Sequence, residues 1–294
     1  MLGVRSTPLT LAYQTGPFTV KLRTDLPALA TLANCFYGDL APAAVVDFNL
    51  RIRRVSGWRR WWRPQAIFIS ERTSIFEPYP AEQAFPLLEW GTNWCISMRA
   101  HQFLMLHAGV VERGGRALLL PALPGSGKST LSAALACRGW RFLTDEIGLV
   151  DHRNGQLAPL PRAIPLKNQS IDVIQDLFPN AWIGPRFENT RKGTVAHMRP
   201  PAESLVRQQE CAVPAWIVFP RYRAGWPTRI EGLEKSVAFT RLSQNAFNYR
   251  HLGATGFSAL CGLILACDCW SLQYSDLDHA IATLGELTGT RAPA

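Results

Sequence analysis

The chain has 294 residues, 47% hydrophobic and 18% charged, a balance that excludes a disordered polypeptide and provides for a packed core. That length suits two units better than one core: a small N-terminal α/β region over residues 1–100 and a larger catalytic domain over 101–294. A net charge of +9 favours anionic partners such as nucleotides, phosphorylated substrates, nucleic acid or a membrane surface, without choosing among them.

At the start, residues 1–10 lack the basic flank and apolar run of a secretory signal. From residue 18 to about 98, strand-like runs (18–22, 46–52, 66–70) mix with helix-like ones (27–35, 81–98), as in a small α/β unit. Its middle interleaves Arg51, Arg53 and Arg54 with Trp58, Arg59, Arg60, Trp61, Trp62 and Arg63. Such a run can stack on bases and neutralise phosphates. Without a recognisable nucleic-acid module it is read as a turn with solvated arginines, and nucleic acid is not expected as a partner.

From His101 the rhythm is clearer. Residues 103–111 form a β-rich run, Gly114 and Gly115 a turn, and 117–121 a short apolar strand. A glycine-rich loop follows, then a helix from Lys128 to Cys137 with Leu131, Ala134 and Leu135 at helical spacing, closed by Arg138 and Gly139. Residues 140–143 and 147–150 are the next strands. A proline-rich stretch (Pro159, Pro161, Pro165) leads to a helix over 169–177, and a basic loop at 190–193 precedes another strand. Residues 212–219 and 270–274 read as strands, 257–266 and 276–287 as helices. The stretch 256–266 is too short to cross a bilayer, so no membrane span is expected. Seven scattered cysteines form neither a CxxC pair nor a zinc spacing, which fits reduced thiols in a cytoplasmic protein.

The chemistry gathers around Ala122-Leu123-Pro124-Gly125-Ser126-Gly127-Lys128-Ser129, a phosphate-loop pattern with alanine in the first position. Gly125 and Gly127 let successive backbone N–H groups turn toward a β-phosphate, and the helix that begins there adds its positive end. Lys128 has the reach for the β- and γ-phosphates, and the Ser129 hydroxyl suits magnesium. Asp145 and Glu146 end the next strand; in a parallel sheet its carboxyl end shares a rim with the loop, so both acids are expected to face the γ-phosphate. One would hold magnesium and the other accept a proton from an attacking hydroxyl. His107, in the strand before the loop, points either toward the same site or into a polar niche of the core.

At these residues the chain resembles the HPr kinase/phosphorylase superfamily, bacterial serine kinases with a phosphoenolpyruvate carboxykinase-like catalytic domain. The resemblance rests on His107-Ala108-Gly109-Val110, on Pro124-Gly125-Ser126-Gly127-Lys128-Ser129-Thr130, and on Arg138-Gly139-Trp140-Arg141-Phe142-Leu143-Thr144-Asp145-Glu146. Pro165-Leu166-Lys167-Asn168 and the run from Arg191 to His197 are similar to a subgroup, HPr kinase-related protein A, associated with exosortase systems. The resemblance implies an α/β, P-loop catalytic domain, ATP and magnesium as cofactors, and a hydroxyl on a protein, peptide or small molecule as acceptor. It implies Asp145 as general base, with His107, Lys128 and Arg191 in the catalytic set. Residues Pro124 to Thr130 would contact nucleotide, and Ser129 with Glu146 would hold the metal. The family's downstream glycine-rich signature has no clean match here, Glu188 and Arg191 standing nearest. A regulator that only binds nucleotide is the rival reading, and a homo-oligomer is compatible with either.

Overall fold

A computed structural model describes residues 8–57, 62–123 and 125–289. Pro124 and most of the tryptophan and arginine run, Trp58 to Trp61, lie outside them; Trp62 is exposed. The protein is a mixed α/β structure of four sheets.

The first sheet uses β1 (Leu9–Thr15), β2 (Phe18–Thr24), β3 (Phe48–Arg54), β4 (Gln65–Ser70), β5 (Thr73–Ser74) and β6 (Tyr79–Pro80). Strands β2 and β3 run parallel across the helix α1 (Pro27–Tyr37), and the other pairs are antiparallel. In β3 burial alternates strictly, so Phe48, Leu50 and Ile52 face the core while Arg51 and Arg53 face water, the pattern of a sheet with one wet side. Helix α2 (Ala84–Arg99) closes the core with Phe85, Leu88, Cys95 and Ile96. That core also takes in Met105, Ile147, Leu149, Leu160 and Ala163 from beyond residue 100.

The expected β run over 103–111 is two strands, β7 (Phe103–Leu106) and β8 (Ala108–Arg113). They part at His107, whose N–H donates to the Asn245 carbonyl at 2.6 Å instead of to a ladder. Next come β9 (Arg116–Pro121), α3 (Lys128–Cys137), β10 (Arg141–Thr144), β11 (Gly148–Asp151) and β12 (Leu157–Ala158). After them stand β13 (Ile164–Lys167), α4 (Gln169–Leu177), β14 (Phe187–Thr190), β15 (Gly193–Met198), α5 (Ala202–Val206) and β16 (Val213–Tyr222). The chain ends with β17 (Arg229–Gly232), α6 (Lys235–Gln244), α7 (Tyr249–Ala266), β18 (Asp268–Tyr274) and α8 (Leu277–Leu287).

The central sheet has the order β10-β8-β9-β16-β18-β17. Strands β9, β16 and β18 are parallel. The expected parallel neighbours β9 and β10 are separated by β8, antiparallel to both. Two reversals restore the direction, so the carboxyl ends of β9 and β10 still share one rim. One face of this sheet packs Val111, Leu118 and Leu120 against Leu131 and Leu135 of α3, and against α4 and α8. The other packs Val110, Leu119 and Ile217 against α6 and α7. A small sheet, β13-β15-β14, and a second, β12-β11-β7, flank the rim.

Candidate phosphate-binding site

The turn between β9 and α3 carries Gly125 and Gly127, both at φ +85, a conformation that costs glycine little. A Cβ on Gly127 would stand 2.4 Å from the Tyr274 phenol oxygen and 2.8 Å from the Tyr222 Cβ. Two bonds fasten the turn to the carboxyl ends of β16 and β18. The Tyr222 N–H donates to the Ser126 carbonyl at 2.9 Å, and the Tyr274 hydroxyl donates to the Gly127 carbonyl at 3.1 Å. The first N–H groups of α3 have no intrahelical acceptor by geometry, and the helix dipole adds positive potential beside them. The Ser126 hydroxyl is buried with no partner.

The first two residues of α3 hold the same acid. Lys128, only 7% exposed, donates from Nζ to the Asp145 main-chain carbonyl and lies 3.2 Å from Asp145 Oδ1. The Ser129 hydroxyl donates to Asp145 Oδ2 at 2.6 Å. The closeness of α3 to the sheet makes this possible: a Cβ at Gly109 of β8 would lie 2.2 Å from the Ser132 Oγ and 3.3 Å from Asp145 Oδ1, so the missing side chain leaves room for both.

Glu146 faces a second set of partners. Its Oε2 accepts from Asn93 Nδ2, and Asn93 Oδ1 accepts from Arg162 Nη1. Arg162 Nη2 donates to Glu89 Oε2 at 2.7 Å, and the Tyr37 hydroxyl donates to Glu89 Oε1 at 2.8 Å. The Tyr37 ring stacks on Tyr13 with centroids 4.3 Å apart. A polar chain thus runs from the first sheet to the acids. Burial pushes the Glu89 carboxyl up against the pull of Arg162. At Arg162 burial works against the charge, but Glu89, Tyr37, Tyr13 and Glu146 together outweigh it and hold the guanidinium above its usual pKa. Burial also opposes ionisation of Glu146, but Lys128, Lys192, Lys167 and Arg162 together outweigh it and hold its pKa below the usual value.

Lys167, at the end of β13, is pushed down by burial and by Lys192, so two cations converge on the acids from the small sheet. The β14–β15 turn sends its two basic residues to different rings: the Arg191 guanidinium lies 5.4 Å over Tyr79, and Lys192 Nζ 5.4 Å over Trp90. The charge of Lys192 is among those that act on Glu146. His107 is half-buried, its ring 5.8 Å from Phe247. Burial first, then Lys128, holds its pKa below the usual value, so its ring is neutral at pH 7.

A cavity of ≈ 20 Å³ lies among Glu89, Asn93, Asp145, Glu146, Arg162 and His197. His197 is 2% exposed and held down to about 3 by burial. Neither of its ring nitrogens has a partner, nor has Arg162 Nε. Asn93, Arg162 and Glu89 carry no sequence motif. Lys167 and His197 lie in the two segments similar to the HPr kinase-related subgroup, which by themselves assign neither a role.

Among the described residues no group of three or more His, Cys, Asp or Glu forms a metal cage. The Ser129 hydroxyl and the Asp145 and Glu146 carboxylates are hard oxygen donors that suit magnesium in company with phosphate oxygens. No protein-family model matches the chain, and no curated protein matches it. No helix among the described residues is long and apolar enough to cross a membrane.

Proposed function

We propose that the protein is an ATP- and magnesium-dependent kinase that transfers the γ-phosphoryl group to a hydroxyl, with serine as the favoured acceptor group. One observation carries this reading: Lys128 and Ser129 both engage Asp145 at the start of α3. A cation for phosphates, a hydroxyl for a metal and a carboxylate for a proton thus meet at one helix N-terminus. The motif resemblance to HPr kinases supports the same reading and narrows it to an HPr kinase-like serine kinase; the scattered free cysteines fit a place in the cytoplasm.

In this mechanism the N–H groups of the Gly125–Gly127 turn and of the first turn of α3 cradle the phosphates. Lys128 turns from Asp145 to the β- and γ-oxygens. Ser129 and Glu146 would hold magnesium, which when bound neutralises phosphate charge. Asp145, released from Lys128, takes the acceptor's proton as its oxygen attacks the γ-phosphorus. Lys167 and Lys192 counter the charge that develops on the transferring group.

Incubation with ATP, magnesium and a cell extract, read by mass spectrometry of phosphorylated products and by ADP release, tests the reading. Acceptor-dependent ADP release with a new phosphoserine is the expected result. Tight ATP binding with no transfer to any acceptor would make the protein a nucleotide-binding regulator instead.

A further inference from the structure

We propose that the cavity beside Asp145 and Glu146 is the seat of the attacking oxygen: it takes the acceptor's hydroxyl, and a single water when no acceptor is bound. This deepens the kinase reading and rests on it.

Buried nitrogens that hydrogen-bond nothing are rare in folded proteins, and where they line a cavity they mark a polar occupant. Here both nitrogens of His197 and the Nε of Arg162 are buried without partners, and both residues line the same small space. Its volume, ≈ 20 Å³, admits one water-sized group. The chemistry of the walls narrows the occupant further. A carboxylate would meet Asp145, Glu146 and Glu89. An ammonium would meet Arg162, with Lys128, Lys167 and Lys192 also acting on Glu146. A neutral hydroxyl satisfies both sides: one lone pair accepts from Arg162 Nε or the His197 N–H, its proton is donated to a carboxylate, and the other lone pair stays free for the phosphorus. Neutral His197 keeps one donor and one acceptor, whereas a protonated ring would carry two donors and no acceptor. Trp90, Leu160, Ala163 and Pro165 complete the lining with apolar walls.

The step balances with either occupant. The hydroxyl oxygen forms a bond to the γ-phosphorus of ATP, and the bond from that phosphorus to the bridging oxygen breaks. The electron pair leaves with ADP and the proton passes to Asp145. A seated acceptor yields a phosphomonoester; a seated water yields inorganic phosphate, so basal ATP hydrolysis is built into the site.

The test follows ATP turnover without acceptor in 18O-labelled water, alongside ATP affinity, for the wild type, His197→Phe and His197→Gln. The phenylalanine variant fills the cavity without polar atoms, and the glutamine variant keeps a donor and an acceptor. Expected are ATP affinities within about twofold of one another, label in the released phosphate, and a roughly 100-fold slower release in His197→Phe that His197→Gln largely restores. Normal ATP binding with unchanged release in His197→Phe overturns the seat alone, as does a wild type that binds ATP and never hydrolyses it. A wild type that binds no ATP overturns the kinase reading and the proposal together. If His197→Phe fails to fold, a crystal structure of the free wild-type protein decides: a water bonded to His197 and Arg162 is expected, and a dry cavity overturns the proposal.

Discussion

The shared hold of Lys128 and Ser129 on Asp145 means that nucleotide must compete for the lysine, so binding and the freeing of the base are one event. Lys128→Ala deletes the charge that makes this exchange. A charge-assisted contact is worth about 1.5–3 kcal/mol, so the folded variant is expected to bind ATP roughly 10- to 100-fold more weakly in a titration; wild-type affinity would remove the phosphate-loop assignment. Asp145→Asn keeps the shape and loses the proton acceptor. Single-turnover transfer is expected to fall by roughly 100- to 10,000-fold with ATP affinity retained. If affinity falls instead and excess magnesium restores it, Asp145 serves the metal; transfer at the wild-type rate would sink both roles. These residues were legible because the phosphate loop is a contiguous pattern with a physical reason at each position. Their partners were not. Asn93 lies 53 residues from Glu146 and 69 from Arg162, and no local periodicity encodes a polar chain that only folding closes.

Elements with strong local signals were read with their boundaries. Helix α3 begins at Lys128 because Gly127 ends the turn, and the single apolar stripe of Ile171 and Ile174 marks α4. Strand β1 escaped notice because it is an edge strand whose first residues are exposed, so burial imposes little alternation on it. Helix α6 buries only Ala238 and Leu242, too thin a stripe to stand out from its polar neighbours. The position of β8 between β9 and β10 depends on chain reversals that pattern reading does not resolve. The β14–β15 turn was legible only as a basic loop. Its shape comes from Thr190, whose Oγ1 donates to the Gly193 carbonyl at 2.6 Å and accepts from the Lys192 N–H at 3.1 Å. Held this way, Lys192 adds to the field over Glu146. Lys192→Ala is expected to lower kcat by roughly tenfold while KM for ATP changes little, because the charge it opposes grows during transfer. Steady-state kinetics checks this, and an unchanged kcat would make the turn an ordinary solvated loop.

Across the whole molecule, the core of the first sheet and the candidate site are tied by apolar packing and by the chain of polar contacts from Tyr37 through Glu89, Arg162 and Asn93 to Glu146. Acid should loosen this arrangement through His197. Above its ordinary pKa of 6.5 the ring is neutral whether the chain is folded or not, and pH has no leverage through it. As pH falls from there toward about 3, the unfolded chain takes up a proton that the folded chain refuses, so stability drops. Around pH 5 the loss is about 2 kcal/mol. Denaturant titrations at pH 7 and pH 5 should therefore show a steeper fall for the wild type than for His197→Gln, and equal falls would mean that the buried ring is not held neutral. The same polar chain enlarges the genetic footprint of the site. A random-mutation screen for lost phosphoryl transfer is expected to return Tyr37, Glu89 and Asn93 beside Lys128 and Asp145, although Tyr37 belongs to a helix of the first sheet and is closer in sequence to the N-terminus than to either acid. Sequence drift in that sheet is therefore constrained by chemistry performed elsewhere in the fold.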